Sequence, residues 1–292
     1  MPSWQMTVVA AFTRLAYQRR FITEEAGLRT LARPKGPSQP PPAISRRYAV
    51  TTTRDHGFDL HRVRPHGTGT GVTVVYLHGG AYTSEIVRQH WSLIAHIADR
   101  TGHEVAVPIY GLAPNHHGLE ALEFVTGVIA AETARGRRCY LAGDSAGGGL
   151  ALLSAQAVGG VAGGVAGVTA IAPWLDLSIS NPEVDEVEPH DPWLRRPGLR
   201  PLAAAWAGEI PLQDPRLSPL FGDLSRLPPL QILVGTRDIT LPDCRLLRSR
   251  LPSSVPLTYH EQEGAVHVYP LLPVPEARQG RQAVISHITA TT

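Results

Sequence analysis

The sequence predicts one α/β body: a mostly parallel central sheet with helices on both faces. Three observations carry that expectation. Apolar runs of strand length alternate with helix-length segments along most of the 292 residues. The stretch Ala146–Leu175 holds no charge, as a helix and a strand buried on both faces require. The chain is 43% hydrophobic and only 18% charged, below the usual ~25%, as a large core demands.

The elements follow in order. Residues 4–32 show helical spacing, with Val8, Phe12, Leu15 and Phe21 apolar and Arg14, Arg19, Arg20, Glu24 and Glu25 between them. Pro34, Pro37 and the run Pro40–Pro42 end that helix and form a stiff connector. The division expected is a helical cap segment over residues 1–45 and the α/β body over 46–292. Strands are expected at residues 48–53 and 58–63, joined by the hairpin signal Asp55-His56-Gly57. Further strands are expected at residues 72–77, 104–108, 138–142, 168–172, 230–234 and 256–260. Helical stretches lie between them, near 85–100, 118–134, 146–157, 199–207, 241–250 and 276–288. The uncharged stretch contains eight glycines, Gln156 and Pro173, so it reads as a buried helix, a Gly-rich turn and a buried strand. It is not expected to span a membrane, although thirty residues would be long enough.

Composition removes several function classes. The net charge is +2, and Lys35 is the only lysine. The arginines are scattered without a basic run, so a solvated or ion-paired surface is expected and no nucleic-acid partner. Cys139 and Cys244 have no C-x-x-C partner, which speaks against a metal or redox motif and fits a reducing, cytoplasmic compartment. The N-terminus lacks the layout of a signal peptide.

In parallel sheets ligands sit beyond the carboxyl ends of the strands, and the informative residues lie there. After the strand at 138–142 comes Gly143-Asp144-Ser145-Ala146-Gly147, a G-x-S-x-G pattern followed by an apolar helix. Small flanks let Ser145 occupy a tight strand-to-helix turn that exposes its hydroxyl, with the helix N–H groups pointing at any charge formed there. After the strand at 72–77 comes His78-Gly79-Gly80-Ala81-Tyr82, whose glycines permit close backbone approach. The Gly79 and Gly80 N–H groups, with that of Ala146, are expected to form an oxyanion hole.

These two motifs resemble those of the hormone-sensitive-lipase-like esterases of the α/β-hydrolase fold. Similar segments are Tyr110-Gly111-Leu112-Ala113-Pro114, Ala172-Pro173-Trp174-Leu175-Asp176-Leu177 and Asp214-Pro215-Arg216-Leu217-Ser218-Pro219, so the resemblance spans roughly residues 45–290. It implies carboxylester hydrolysis by a Ser-His-Asp triad, no metal or cofactor, and a cap built partly from the N-terminal helix. The triad order in this fold is Ser, acid, His. Gly235-Thr236-Arg237-Asp238 resembles the family's acid loop and makes Asp238 the acid. Asp243 is its competitor, better suited to the first turn of the next helix. His267 stands where the family keeps its base, whereas His260 lies inside a strand and His287 on the last helix. Tyr82, Asp144 and Trp174 are expected to touch substrate, and Trp193 and Trp206 are further candidates for an acyl pocket or for core. Relatives carry Arg and Glu where this chain has Gly111 and Asn115, which bears on loop geometry rather than on the triad.

The expected activity is hydrolysis of short- to medium-chain acyl esters. The alternatives are amide or N-acetyl hydrolysis on the same residues, and a non-catalytic binder such as the gibberellin receptors, which lack the histidine. The expected partner is a small ester; no stable membrane insertion is expected, and a homodimer is compatible with the sequence.

Overall fold

The computed structural model describes residues 1–67, 69–159 and 164–292. Strands β1 (Ala49–Asp55), β2 (Phe58–Arg64), β3 (Val72–Leu77), β4 (Glu104–Ile109), β5 (Arg138–Asp144), β6 (Val165–Ile171), β7 (Leu230–Arg237) and β8 (Leu257–Val266) form one sheet. Their order is β1-β2-β4-β3-β5-β6-β7-β8. The first hairpin is antiparallel, and β2 also meets β4 antiparallel. From β4 onward every pairing is parallel. All eight expected strands are present. Gly160 and Gly163 of the expected Gly-rich turn lie outside the described residues.

Alternation along the central strands divides the core in two. Val75 and Leu77 of β3 face one layer with Phe124, Val125 and Leu150. Val74 and Tyr76 face the other, with Ile94, Ile97, Val284 and Ile288. The first layer is built by α5 (Gly118–Ala134), α6 (Ala146–Val158) and α9 (Leu241–Arg250); the second by α4 (Arg88–Thr101) and α10 (Pro275–Thr291). The connection from β6 to β7 carries a short helix, α7 (Val184–Val187), and α8 (Arg196–Ala207).

The leader departs from a single helix. It forms α1 (Trp4–Ala16), a 3-10 turn (Gln18–Arg20) and α2 (Glu24–Leu31). Tyr17 closes α1, and the Thr23 hydroxyl accepts the Ala26 N–H to start α2 afresh. The proline-rich connector runs into another short helix, α3 (Pro42–Arg47), with Pro42 at a first-turn position where its missing N–H is harmless. Two contacts seat the leader on the body. Glu276 of α10 accepts the Ser3 N–H at 2.6 Å, and the Gly198 N–H of α8 donates to the Phe21 carbonyl at 2.9 Å. Gly27 permits the approach of α2 to α8, since a Cβ there would lie 2.2 Å from the Gly198 carbonyl oxygen.

The close passage of α6 under β3 rests on Gly147, where a Cβ would meet the Leu77 carbonyl oxygen at 2.1 Å. Replacing a helical glycine by alanine ordinarily stabilises by roughly 0.5–1 kcal/mol. Here the clash is with backbone, so Gly147→Ala should instead destabilise by about 1–3 kcal/mol and lower Tm by several degrees. A calorimetric melt checks this; an unchanged or raised Tm contradicts the tight crossing.

Candidate active site

Ser145 joins β5 to α6 with φ 53° and ψ −121°, a backbone conformation costing a non-glycine residue on the order of 1–3 kcal/mol. Its surroundings hold it there. The Ser145 N–H donates to the Ile171 carbonyl at 2.8 Å, and its own carbonyl accepts from Trp174 at 3.0 Å and Gly149 at 3.1 Å. Ala81, Tyr82, Ala172 and Val268, in the neighbouring loops, also have positive φ. Backbone strain is thus gathered at the carboxyl ends of the central strands.

Three chain segments far apart in sequence meet at Ser145. His267 follows β8 directly, and its Nε2 lies 2.8 Å from the Ser145 Oγ. Its Nδ1 lies 2.9 Å and 3.0 Å from the two carboxylate oxygens of Asp238, which follows β7. Nδ1 therefore carries the proton, leaving Nε2 to accept from the serine hydroxyl. The Asp238 Oδ1 also accepts the Thr240 N–H at 3.0 Å and hydroxyl at 2.9 Å, which fixes the carboxylate. Asp238 is fully buried. Burial disfavours the imidazolium of His267, but the charge and hydrogen bond of Asp238, with Asp191 and Asp144 beyond, hold its pKa above the ordinary 6.5. Asp243 sits in the first turn of α9, as expected, and bonds Asn181 rather than a histidine. Burial pushes its carboxyl up to about 7. His287 bonds the Tyr140 hydroxyl, well away from this cluster.

The structure departs from the sequence expectation at three positions. The Gly79 N–H is taken by the Asp144 Oδ1 at 3.1 Å, so it is not free for an oxyanion. The N–H groups of Gly80, Ala81 and Ala146 have no acceptor among the described residues. Asp144 is itself committed: it accepts also from the Tyr76 hydroxyl at 2.7 Å and from His90 Nε2 at 3.2 Å. Because His90 Nδ1 accepts the Val87 N–H, its Nε2 bears the proton that Asp144 receives. With burial opposing the charge, the charges and hydrogen bonds around Asp144, first of all His90, bring its pKa below the usual aspartate value. It braces loops through these bonds, while its carboxylate also borders the cavity beside Ser145. Tyr82 is sealed in the core, its ring stacked on Trp206 at 4.2 Å and its hydroxyl without a partner among the described residues.

Beside Ser145 and His267 opens a cavity of about 390 Å³. Trp174 and Trp193 line it, as the sequence reading allows, whereas Trp206 belongs to the core. Trp193 packs edge-on against the His267 ring at 5.8 Å. Val9, Phe12 and Tyr17 bring the N-terminal segment to the opposite wall. Gly111 has a local reason: a Cβ there would lie 2.2 Å from the His116 ring. Among the described residues, no three His, Cys, Asp or Glu side chains are placed to hold a metal ion.

Sequence reasoning missed Asp191. It lies fully buried behind Asp238, and its Oδ1 accepts the N–H groups of Trp193 at 2.6 Å and Leu194 at 2.9 Å. Its Oδ2 accepts the Ile239 N–H at 2.9 Å, so one carboxyl ties the tryptophan-bearing loop to the Asp238 loop. Burial and the neighbouring Asp238 push it up to about 6. The only local signal, Asp191-Pro192, is one shared by ordinary turns.

The sheet order, the strained serine turn and the Asp238–His267–Ser145 chain of hydrogen bonds together define an α/β-hydrolase. A family model described as alpha/beta hydrolase fold matches residues 74–271, and the chain belongs to that family. It is 31% identical to an acetyl-hydrolase of Streptomyces hygroscopicus over 73% of each chain. It is 31% identical to an esterase of Acinetobacter venetianus over 61% of this chain and 60% of that one. The chain spans between 43% and 73% of the length of the curated relatives it matches. Among solved structures, an esterase from the bacterial hormone-sensitive lipase family superposes with a TM-score of 0.76. That match is 25% identical and covers 98% of this chain and 97% of that one. The resemblance read from the motifs is the one these comparisons return. Among the described residues, no helix is long and apolar enough to cross a membrane.

Asp238→Asn should lower the His267 pKa, because the largest influence opposing burial, the charge and hydrogen bond of Asp238, is removed while only the more distant Asp191 and Asp144 remain. Titration of the imidazole by NMR reads the shift, and an unmoved midpoint contradicts the pairing. Tyr82→Phe removes a buried hydroxyl that has no partner, so stability should hold or rise by about 1 kcal/mol while ester kinetics stay unchanged. A changed KM in Tyr82→Phe would return that side chain to the ligand site.

Proposed function

We propose that this protein hydrolyses carboxylic esters with short- to medium-chain acyl groups through an acyl-enzyme intermediate. The observation that carries the reading is the unbroken hydrogen-bond chain from Asp238 through His267 to a strained, cavity-facing Ser145. In the first step Ser145 Oγ attacks the ester carbonyl while His267 Nε2 takes its proton. Asp238 keeps the imidazole in the required tautomer and stabilises the imidazolium. The Gly80, Ala81 and Ala146 N–H groups receive the oxyanion, each such donor being worth on the order of 10²–10³ in turnover. His267 then protonates the leaving alcohol, activates a water for attack on the acyl-enzyme, and returns the proton to Ser145.

The size and lining of the cavity support the short- to medium-chain preference: about 390 Å³, walled by Trp174, Trp193 and the N-terminal segment. The acetyl-hydrolase name of the Streptomyces relative fits the short end of that range. Hydrolysis of p-nitrophenyl esters from acetyl to dodecanoyl tests it, with activity expected to fall as the chain lengthens. Ser145→Ala should lower turnover on the order of 10⁴-fold or more. Activity surviving in that variant would remove Ser145 as nucleophile. Deleting residues 1–32 takes away one cavity wall and should change the chain-length preference; identical kinetics across the acyl series would show that this segment does not act as a cap.

A further inference from the structure

The outward face of α1 is apolar, which inverts the usual pattern of a surface helix. Met6, Ala10 and Thr13 point into the protein. Trp4, Val8 and Leu15 point away from it, with 72%, 56% and 69% of their surface exposed, and Phe12, 58% exposed, stands beside them at the edge of the cavity. Ile22 and Leu28, further along the leader, are exposed as well. Nearly all the large exposed apolar side chains among the described residues fall in the first 28 positions; the others are Val87 and Phe221. A scattered apolar residue on a surface needs no explanation, but a contiguous stripe does. The stripe also leads somewhere: Phe12 and Val87 both line the rim of the cavity that holds Ser145. The helix is not loose, since Ser3 at its start is bonded to Glu276 through both its N–H and its hydroxyl.

The charge distribution says what should cover this face. Residues 1–47 carry eight Arg or Lys against two Glu, whereas the rest of the chain carries nineteen against twenty-three Asp or Glu. Arg14, Arg19, Arg20 and Arg33 have no carboxylate within ion-pair distance among the described residues. A second copy meeting the first through this face would bring two cationic caps together, which disfavours it. Apolar side chains that include Trp, Phe and Leu, flanked by unpaired arginines, suit the boundary between anionic headgroups and acyl chains.

We propose that α1 docks this protein on anionic phospholipid surfaces, its stripe seated at the acyl boundary and the mouth of the Ser145 cavity turned toward the bilayer. The helix lies on the surface and does not cross it. Docking stands apart from the hydrolytic reading, because it is measured without any substrate.

The test is cosedimentation of the full chain with vesicles of phosphatidylcholine, with and without phosphatidylglycerol. The chain should pellet with the anionic vesicles, weakly or not at all with neutral ones, and less as salt is raised. Trp4, the most exposed tryptophan, should shift its emission to the blue on binding. Leu15→Asp, which is off the cavity wall, should abolish pelleting while its circular dichroism melt stays that of the wild type. Arg14→Gln with Arg19→Gln should weaken binding by about 25-fold, near fivefold for each charge removed. The proposal is overturned if the wild-type chain stays in the supernatant with anionic vesicles, or if Leu15→Asp pellets as well as wild type. A dimer that Leu15→Asp dissociates, with no lipid binding, would overturn it in favour of a second copy.

Discussion

One buried carboxylate holds the Ser145 end of this molecule in register. Asp144 stands between β5 and Ser145 and accepts hydrogen bonds from β3, from the loop after β3 and from α4. The serine turn and the glycine loop facing it are therefore not two independent pieces of backbone. A buried carboxylate left without its donors would cost several kcal/mol, so the three segments arrive together or the turn does not form. The same contact explains why the Gly79 N–H is spent on structure and why the free N–H groups begin one residue later.

Asp191 does a parallel job on the other side of His267. Its two oxygens divide between the loop that carries Trp193 and the loop that carries Asp238, so the wall of the cavity and the carboxylate that holds His267 share a support. Burying a second carboxyl next to Asp238 has a cost that shows as its raised pKa, from loss of solvation first and from the Asp238 charge second. Three backbone N–H donors offset it, as they do for carboxylates elsewhere in protein interiors.

Much of this was legible in the sequence because the chemistry sits at strand ends. Ser145, Asp238 and His267 each follow a short apolar run at once, and the topology rule for parallel sheets does the rest. What a one-dimensional pattern does not carry is the direction of a side chain in a loop. Tyr82 and Asp144 both lie beside motif glycines, where the pattern suggests contact with a ligand, yet the Tyr82 ring packs into the core and the Asp144 carboxylate, though it borders the cavity, is bonded to His90 of α4. Asp191 was unreadable for a different reason: its partners come from residues nearly fifty positions away, and no periodicity records that. The leader read as one helix because its apolar spacing continues through Tyr17–Phe21, where the break depends on packing against α8.

The uncharged stretch that holds α6 and β6 has a consequence for biosynthesis. In the finished sheet β6 lies between β5 and β7, but β7 begins roughly sixty residues further along the chain. At about 5–20 residues per second, a nascent chain carries β6 with one bare hydrogen-bonding edge for several seconds. With no charge between Ala146 and Leu175 to repel a neighbour, that interval is when the chain is most adhesive. Yield in a heterologous host should therefore be governed less by the stability of the folded protein than by how the ribosome and its chaperones shelter this one edge.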